Sequence, residues 1–333
     1  MRKLTGKTIA LIVVLVALAA GSWFMFGRTA AGIEYPNADK YTVGDAVIPG
    51  AVNNLFVDWT AGKVTVEYYD GADIKVTENA NRTLSDDDKL RWWLDGDTLR
   101  IRYAKAGFRI SFNLDKQLTV SLPRDLVLKS ADIGSTSADI YAPALKADEI
   151  RLNSTSGNIE AGTDTKKLAA SSTSGDVRVL QGGSLDSADL SSTSGSLSLG
   201  VEGSVKNVSA NSTSGGVALT VSGSAGNVKL HSTSGNIYPT LSSLDKAEIS
   251  ATSGSVTGTV NAFKDLKVNT SSGSVNLKLG TEPGFTCRVS SSSGDFTTAL
   301  SMTKNGDTYT CGDGSAKCDI GTSSGDIWIG NID

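Results

Sequence analysis

Histidine is almost missing from this chain: His231 stands alone among 333 residues. It has no evident acid or nucleophile partner, so histidine-centred catalysis has no starting point. Cysteine is scarce as well, with only Cys287, Cys311 and Cys318. Paired carboxylates, the mark of a polysaccharide-cleaving site, do not stand out. The acids Asp132, Asp189, Glu248 and Asp319 share their place in the repeat with Arg151, Lys229, Lys267 and Arg288, a mixture that reads as surface pairing between strands. The nonapeptide pattern of calcium-binding β-helices is absent, and no cofactor or metal cluster is expected. Positive charge is not in excess either. The first 28 residues hold Arg2, Lys3, Lys7 and Arg28 and no acid, which leaves 27 of the 31 basic residues against all 35 acidic ones. A body with a balance of −8 argues against nucleic acid or an anionic membrane surface as its partner.

What the chain has in plenty is glycine, 36 residues of it, much of it in one recurring phrase. Ser154-Thr155-Ser156-Gly157-Asn158-Ile159 returns as Ser172-Thr173-Ser174-Gly175-Asp176-Val177, and again with glycines at 195, 215, 235, 254, 273, 294 and 325. A worn copy carries Ala138 in the glycine place. Self-similarity at about twenty residues marks stacked rungs. Seven and five residues before each glycine, and two after it, the columns are apolar, as in Ile150, Leu152 and Ile159 or Val228, Leu230 and Ile237. That alternation is strand with one face toward a core, which a single rung cannot bury alone. The expected fold is all-β: a single-stranded parallel β-helix or solenoid, each rung paired with the next, with right-handed winding as the default for parallel crossovers. The glycine is expected at the corner to supply a positive φ, followed by an Asx or Ser residue suited to a turn.

The stretch from Thr8 to Phe26 is almost wholly apolar, long enough to span a bilayer, with three basic residues before it and one after. The reading is one transmembrane signal-anchor, residues 1–28, with a cytoplasmic N-terminus and residues 29–333 extracytoplasmic. The rival is a cleaved signal peptide cut near Ala17-Leu18-Ala19; both export the rest. Residues 29–50 read as linker. Residues 51–130 read as N-terminal rungs and cap, beginning with Leu55, Val57, Gly62, Val64 and Val66. Further strands are expected through Ile74, Leu99, Phe108–Phe112 and Leu118–Leu122, with a hairpin at Asp95-Gly96. Residues 131–330 are regular repeats with a hairpin insertion at 299–317, marked by Asn305-Gly306.

The S-G-D/N-apolar repeats at Gly157, Gly175, Gly294 and Gly325 resemble those of the bacterial putative-adhesin β-strand-repeat family, an exported domain of unknown function. So do Asp58-Trp59-Thr60-Ala61-Gly62 with Val64 and Val66, Asp95-Gly96-Asp97 before Leu99 and Ile101, and Leu118-Thr119-Val120-Ser121-Leu122-Pro123. The resemblance covers about residues 50–330. It implies an exported β-helix, frequent in Gram-positive bacteria, with some members linked to envelope stress, and no established catalytic residues. The three cysteines depart from the common pattern.

The candidate binding surface is a column of outward hydroxyls two residues before each glycine: Thr155, Thr173, Thr193, Thr213, Thr233 and Thr252. Beside it, four before the glycine, stand Asn153, Asn211, His231 and Asn269. The serines one and three before the glycine are expected to face inward. Small polar residues also suit a tight corner for purely structural reasons. The Asp/Asn column after the glycine is turn chemistry rather than a calcium ladder. Cys287 and Cys318, both seven before their glycines, are a candidate disulfide if the insertion leaves their rungs adjacent, with buried free thiols as the alternative. The function expected is a non-catalytic, adhesin-like binding scaffold at the cell envelope, for a cell-wall or surface glycan or an envelope protein, held in the membrane by the N-terminal helix. A part in envelope-stress signalling is the alternative, and a polysaccharide-active enzyme the third reading.

Overall fold

The computed structural model describes residues 35–49, 52–107 and 114–332. The expected membrane helix and the strand expected through Phe108, Ile110 and Phe112 lie outside them. Among the described residues the regular structure is strand, apart from one 3-10 turn at Ala38–Lys40. None of their helices is long and apolar enough to cross a membrane.

Every rung lays one strand before the T-S-G corner and one after it. Lys167–Ser172 pairs in parallel with Leu185–Ser192, Leu168 opposite Ala188. Val177–Gln181 pairs in parallel with Leu197–Val201, Val177 opposite Leu197. Strands before the corner therefore build one parallel wall and strands after it a second. The apolar columns of both walls meet in one continuous core running from Ala46 to Ile329. Burying a Val, Leu or Ile is worth roughly 1.5–3 kcal/mol, a gain available only where a neighbouring rung covers it. Val289 and Phe296, which are only half-buried, belong to the outermost rung, whose antiparallel cover pairs only with Gly284 to Arg288.

Rungs do not stack in chain order at the ends. The final strands, Ala316–Thr322 and Ile327–Asn331, lie between the rung of Gly273 and the rung of Gly294. The rung of Gly294 is outermost, covered on the first wall by the antiparallel strand Thr308–Gly312. The N-terminal end is built the same way. The rung Asn54–Trp59 and Lys63–Tyr69 packs directly against residues 130–141 on one side, and the later strands Thr98–Arg102 and Lys116–Pro123 lie outside it. Antiparallel strands then close both walls: Arg91–Asp95 on Thr98–Arg102, and Ile74–Ala80 on Lys116–Pro123. Short strands from the stretch read as linker, Thr42–Val43 and Ala46–Ile48, add to these in turn. An open parallel edge is a template for unwanted pairing, and these antiparallel covers occupy it.

The intercalation at the C-terminal end keeps a column of charges alternating in sign. On the first wall Lys229, Glu248, Lys267, Asp319 and Arg288 follow one another across the rungs. Stacking in chain order would set Lys267 opposite Arg288. Inserting the last rung puts Asp319 between them, and Lys317 opposite Asp265. Each such cross-strand pair contributes about 0.2–1 kcal/mol relative to neutral neighbours.

The corner glycines have a different reason from the expected one. None of the glycines of the T-S-G phrase has a positive φ; Gly62, at the corner of the first rung, does, at +93°, as do Gly96, Gly306 and a few others. A Cβ on Gly215 would instead lie 2.0 Å from the carbonyl oxygen of Gly195, and one on Gly254 1.9 Å from that of Gly235. The column is glycine because backbone passes over backbone there with no room for a side chain.

Candidate functional site

The corner must satisfy four backbone N–H groups per rung, and two of them find carbonyls in the rung before. Thr213 N–H bonds to the Ser192 carbonyl at 3.2 Å and Ser214 N–H to the Thr193 carbonyl at 2.9 Å. The N–H groups of the glycine and of the residue after it have no carbonyl within the ladder, and a buried unpaired N–H is costly. Side chains take both. Three before the glycine, the buried Ser212 hydroxyl accepts Gly215 N–H at 2.9 Å, as Ser172 does for Gly175 and Thr322, at 3.1 Å, for Gly325. The same hydroxyls donate to the previous glycine carbonyl, Ser232 to Gly215 at 3.0 Å and Thr270 to Gly254 at 2.9 Å.

The Asp/Asn column serves the remaining N–H. Asp139 Oδ1 accepts Asn158 N–H at 2.7 Å, Asn158 Oδ1 accepts Asp176 N–H at 2.9 Å, and Asp176 Oδ1 accepts Ser196 N–H at 2.7 Å. Asp326, in the intercalated rung, does the same for Asp295 of the rung outside it, at 3.0 Å. These carboxylates are therefore structural acceptors. Among the described residues no group of three or more His, Cys, Asp or Glu side chains is placed to hold a metal ion.

With those roles filled, the serine before each glycine is exposed from Ser156 to Ser324, contrary to the inward direction expected of it. The alternation of a strand ends at the corner: the residue three before the glycine folds in to cap it, which leaves the next two on the outside of the turn. The threonine column lies beside these serines. Thr193, Thr213 and Thr252 are exposed, and Thr155, Thr173 and Thr233 half-buried. Members of the neighbouring amide column hydrogen-bond along the wall or to the column beside it. Ser171 donates to Asn153 Oδ1 at 2.7 Å, Asn211 Nδ2 donates to Ser209 at 3.0 Å, and His231 Nδ1 sits 2.9 Å from the Ser250 hydroxyl. Burial holds the His231 imidazole below its usual pKa. Asn269 Oδ1 fills the space where a Cβ on Gly321 would lie, 2.8 Å away.

The strip continues onto the second wall. Between Arg178 and Lys278 the outward residues are uncharged: Ser198 and Gly200, Ala218 and Thr220, Tyr238 and Thr240, Thr257 and Thr259. Tyr238 is 46% exposed, and its hydroxyl accepts from Asn236 Nδ2 at 3.0 Å. The first wall, by contrast, presents the alternating charges described above. Sequence reasoning saw the hydroxyl column but not this difference between the walls. The signal was available in the positions three and five after each glycine.

A second feature sequence reasoning missed is a fully buried lysine in the N-terminal cap. Lys116 Nζ lies 2.7 Å from Glu78 Oε2, donates to the Asp88 carbonyl at 2.6 Å and to the Tyr103 carbonyl, and sits 4.2 Å from the Tyr103 ring and 4.9 Å from that of Trp59. Burial lowers its pKa, and burial pushes the Tyr103 phenol up to about 12. The group is enclosed and its donors are used, which makes it a tie holding the cap together.

The site is thus a surface on a stacked scaffold, a two-walled β-solenoid whose carboxylates serve as structural acceptors. The Toastrack DUF4097 family model matches residues 52–265 and again 167–330, and the chain belongs to that family. Among solved structures it is similar to a putative lipid binding protein from Parabacteroides distasonis, at 19% identity over 72% of this chain and 96% of that one, with a TM-score of 0.47. It is also similar to a putative adhesin from Bacteroides fragilis, at 12% identity over 87% and 97%, TM-score 0.36. A third is a putative cell adhesion protein from Clostridium sporogenes, at 13% over 88% and 100%, TM-score 0.21. No curated protein matches the chain.

Proposed function

We propose that this chain is a non-catalytic binding scaffold of the bacterial cell envelope, anchored through residues 8–26 with residues 29–333 outside the cytoplasm, and that its corner strip contacts a neutral cell-wall or surface glycan. The observation that carries the reading is the difference between the walls. Hydroxyls, a tyrosine and small residues continue without charge from Thr193 round the corner to Thr259, while the other wall alternates in sign. A charged polymer would find little to pair with there, and an uncharged one would keep its hydrogen bonds. Each rung offers the same weak contact, so a long ligand gains by engaging several at once.

The test is retention of the full chain on purified cell-wall material. Thr193, Thr213 and Thr233 all changed to lysine should leave the protein folded and reduce retention. Ser187, Asn207 and Asn227 to lysine, in the same rungs but on the first wall, adds the same charge and should not. Equal retention of both variants and the parent would remove the strip as a binding face and favour the signalling role.

A further inference from the structure

We propose that Cys287 and Cys318 form a disulfide that fastens the last rung of the chain into its slot between the rungs of Gly273 and Gly294. The two residues are direct partners in the parallel pairing of Gly284–Ser291 with Ala316–Thr322. Neighbouring strands lie about 4.8 Å apart, within the Cα separations of roughly 4.4–6.8 Å that a disulfide accepts. Both side chains point into the core and both are buried, as free thiols in this structure. The third thiol has no such partner. Cys311 stands opposite Phe285, and Cys287 opposite Tyr309, which leaves Cys311 on the diagonal from Cys287, about 7–8 Å away. The geometry thus selects one pair of three.

The position of this pair gives it a purpose. Cys318 belongs to the intercalated rung and Cys287 to the rung that closes over it. On the other side Cys318 faces Leu266, with which no covalent link can form. A bond here ties the inserted rung to its cover at the C-terminal end of the stack.

The chemistry is thiol–disulfide exchange with an oxidant of the disulfide class, such as a thiol oxidoreductase or oxidised glutathione. One protein thiolate attacks the oxidant disulfide and releases one thiol. The second protein thiolate attacks the resulting mixed disulfide and releases the other. Two protein thiols and one disulfide become one protein disulfide and two thiols. In the seated rung the hydrogen bond with Cys287 and burial raise the Cys318 thiol well above its ordinary pKa, so little thiolate is present and no reagent reaches it. Exchange therefore belongs to the moment before the last rung seats, and the bond is sealed in afterwards. Meeting such an oxidant in the cell rests on the export proposed above; the experiment does not, since the oxidant is supplied.

The full chain is refolded with oxidised glutathione or with reduced dithiothreitol, digested without reduction and mapped by mass spectrometry, with hydrogen exchange followed across residues 316–331. The expected result is a Cys287–Cys318 link with Cys311 free, and exchange in that segment slower in the oxidised protein by tenfold or more. A Cys311→Ser variant should keep both. Three alkylatable thiols after oxidative refolding, or a link that includes Cys311, overturns the assignment. A Cys287–Cys318 link with unchanged exchange overturns its role in holding the rung.

Discussion

Replacing Gly215 by alanine tests whether close approach of backbone to backbone is what keeps the corner column glycine. The new Cβ would lie 2.0 Å from the Gly195 carbonyl oxygen, 2.4 Å from its carbon and 2.8 Å from Ser196 N. All three neighbours are backbone, so no flexible side chain can move aside. Reaching ordinary contact requires the two rungs to part by about 1.4 Å at this corner. The bonds that join them there, Thr213 N–H to Ser192 at 3.2 Å and Ser214 N–H to Thr193 at 2.9 Å, would then exceed the length at which a hydrogen bond survives. Two lost bonds at about 1 kcal/mol each, with strain of about 1–2 kcal/mol left over, predict a loss of about 3–4 kcal/mol. Asparagine separates this account from a positive-φ one, because it tolerates the left-handed region that alanine avoids. Gly215→Asn should cost at least as much as Gly215→Ala. Gly96→Asn, at φ +63° with open space around it, should cost less than about 1 kcal/mol. Urea unfolding of the three variants measures this. A Gly215→Ala protein within about 1 kcal/mol of the parent would refute the close-approach argument.

Lys116→Met should destabilise by about 3–5 kcal/mol, because it leaves the buried Glu78 carboxylate without its countercharge. Adding Glu78→Gln, which keeps an acceptor for Leu90 N–H, should recover much of that loss in the same urea assay; a double variant no better than the single one would contradict the ion pair as the cause. Tyr103, whose phenol is raised from 10.0 to about 12 by burial, keeps its proton in the folded protein while the unfolded chain gives its proton up. Its contribution to stability is therefore whole below pH 10 and falls away as the pH rises toward 12. Burial also raises Tyr35 and Tyr68, so absorbance titration of tyrosinate should show several late groups, of which Tyr103→Phe removes the last; an undiminished last step in Tyr103→Phe would reassign it.

Much of the rung was legible because a two-residue alternation and a twenty-residue period are both written directly in residue type. Ile150, Leu152 and Ile159 needed no structure to be placed in a core. The order of the rungs was not legible from the T-S-G phrase, since every copy can stack on every other. One sign of it lay in the charges, since chain order would set Lys267 opposite Arg288 and the observed order sets Asp319 between them. Lys116 was within reach too. It stands two before Leu118 and four before Val120 on the same face, and only its charge argued for the outside. The exposed serines and the role of the glycines both depend on how the backbone bends within a corner, which residue type alone does not report. The hydroxyl column could be found from sequence, whereas the uncharged wall beside it emerged only once the register assigned each residue a face.

The exchange of order at both ends changes how the molecule bears load. A terminal strand at an open edge can be peeled away one hydrogen bond after another by a force on its free end. Here the rung beginning at Asn54 and the rung ending at Asn331 each have a parallel neighbour on both sides. Tension must break two ladders together to free either rung, from Asn54 at one end and, once the singly paired Gly330 and Asn331 have parted, from Ile329 at the other. The stack is gripped at its extremities, like a rope tucked under its own last turn.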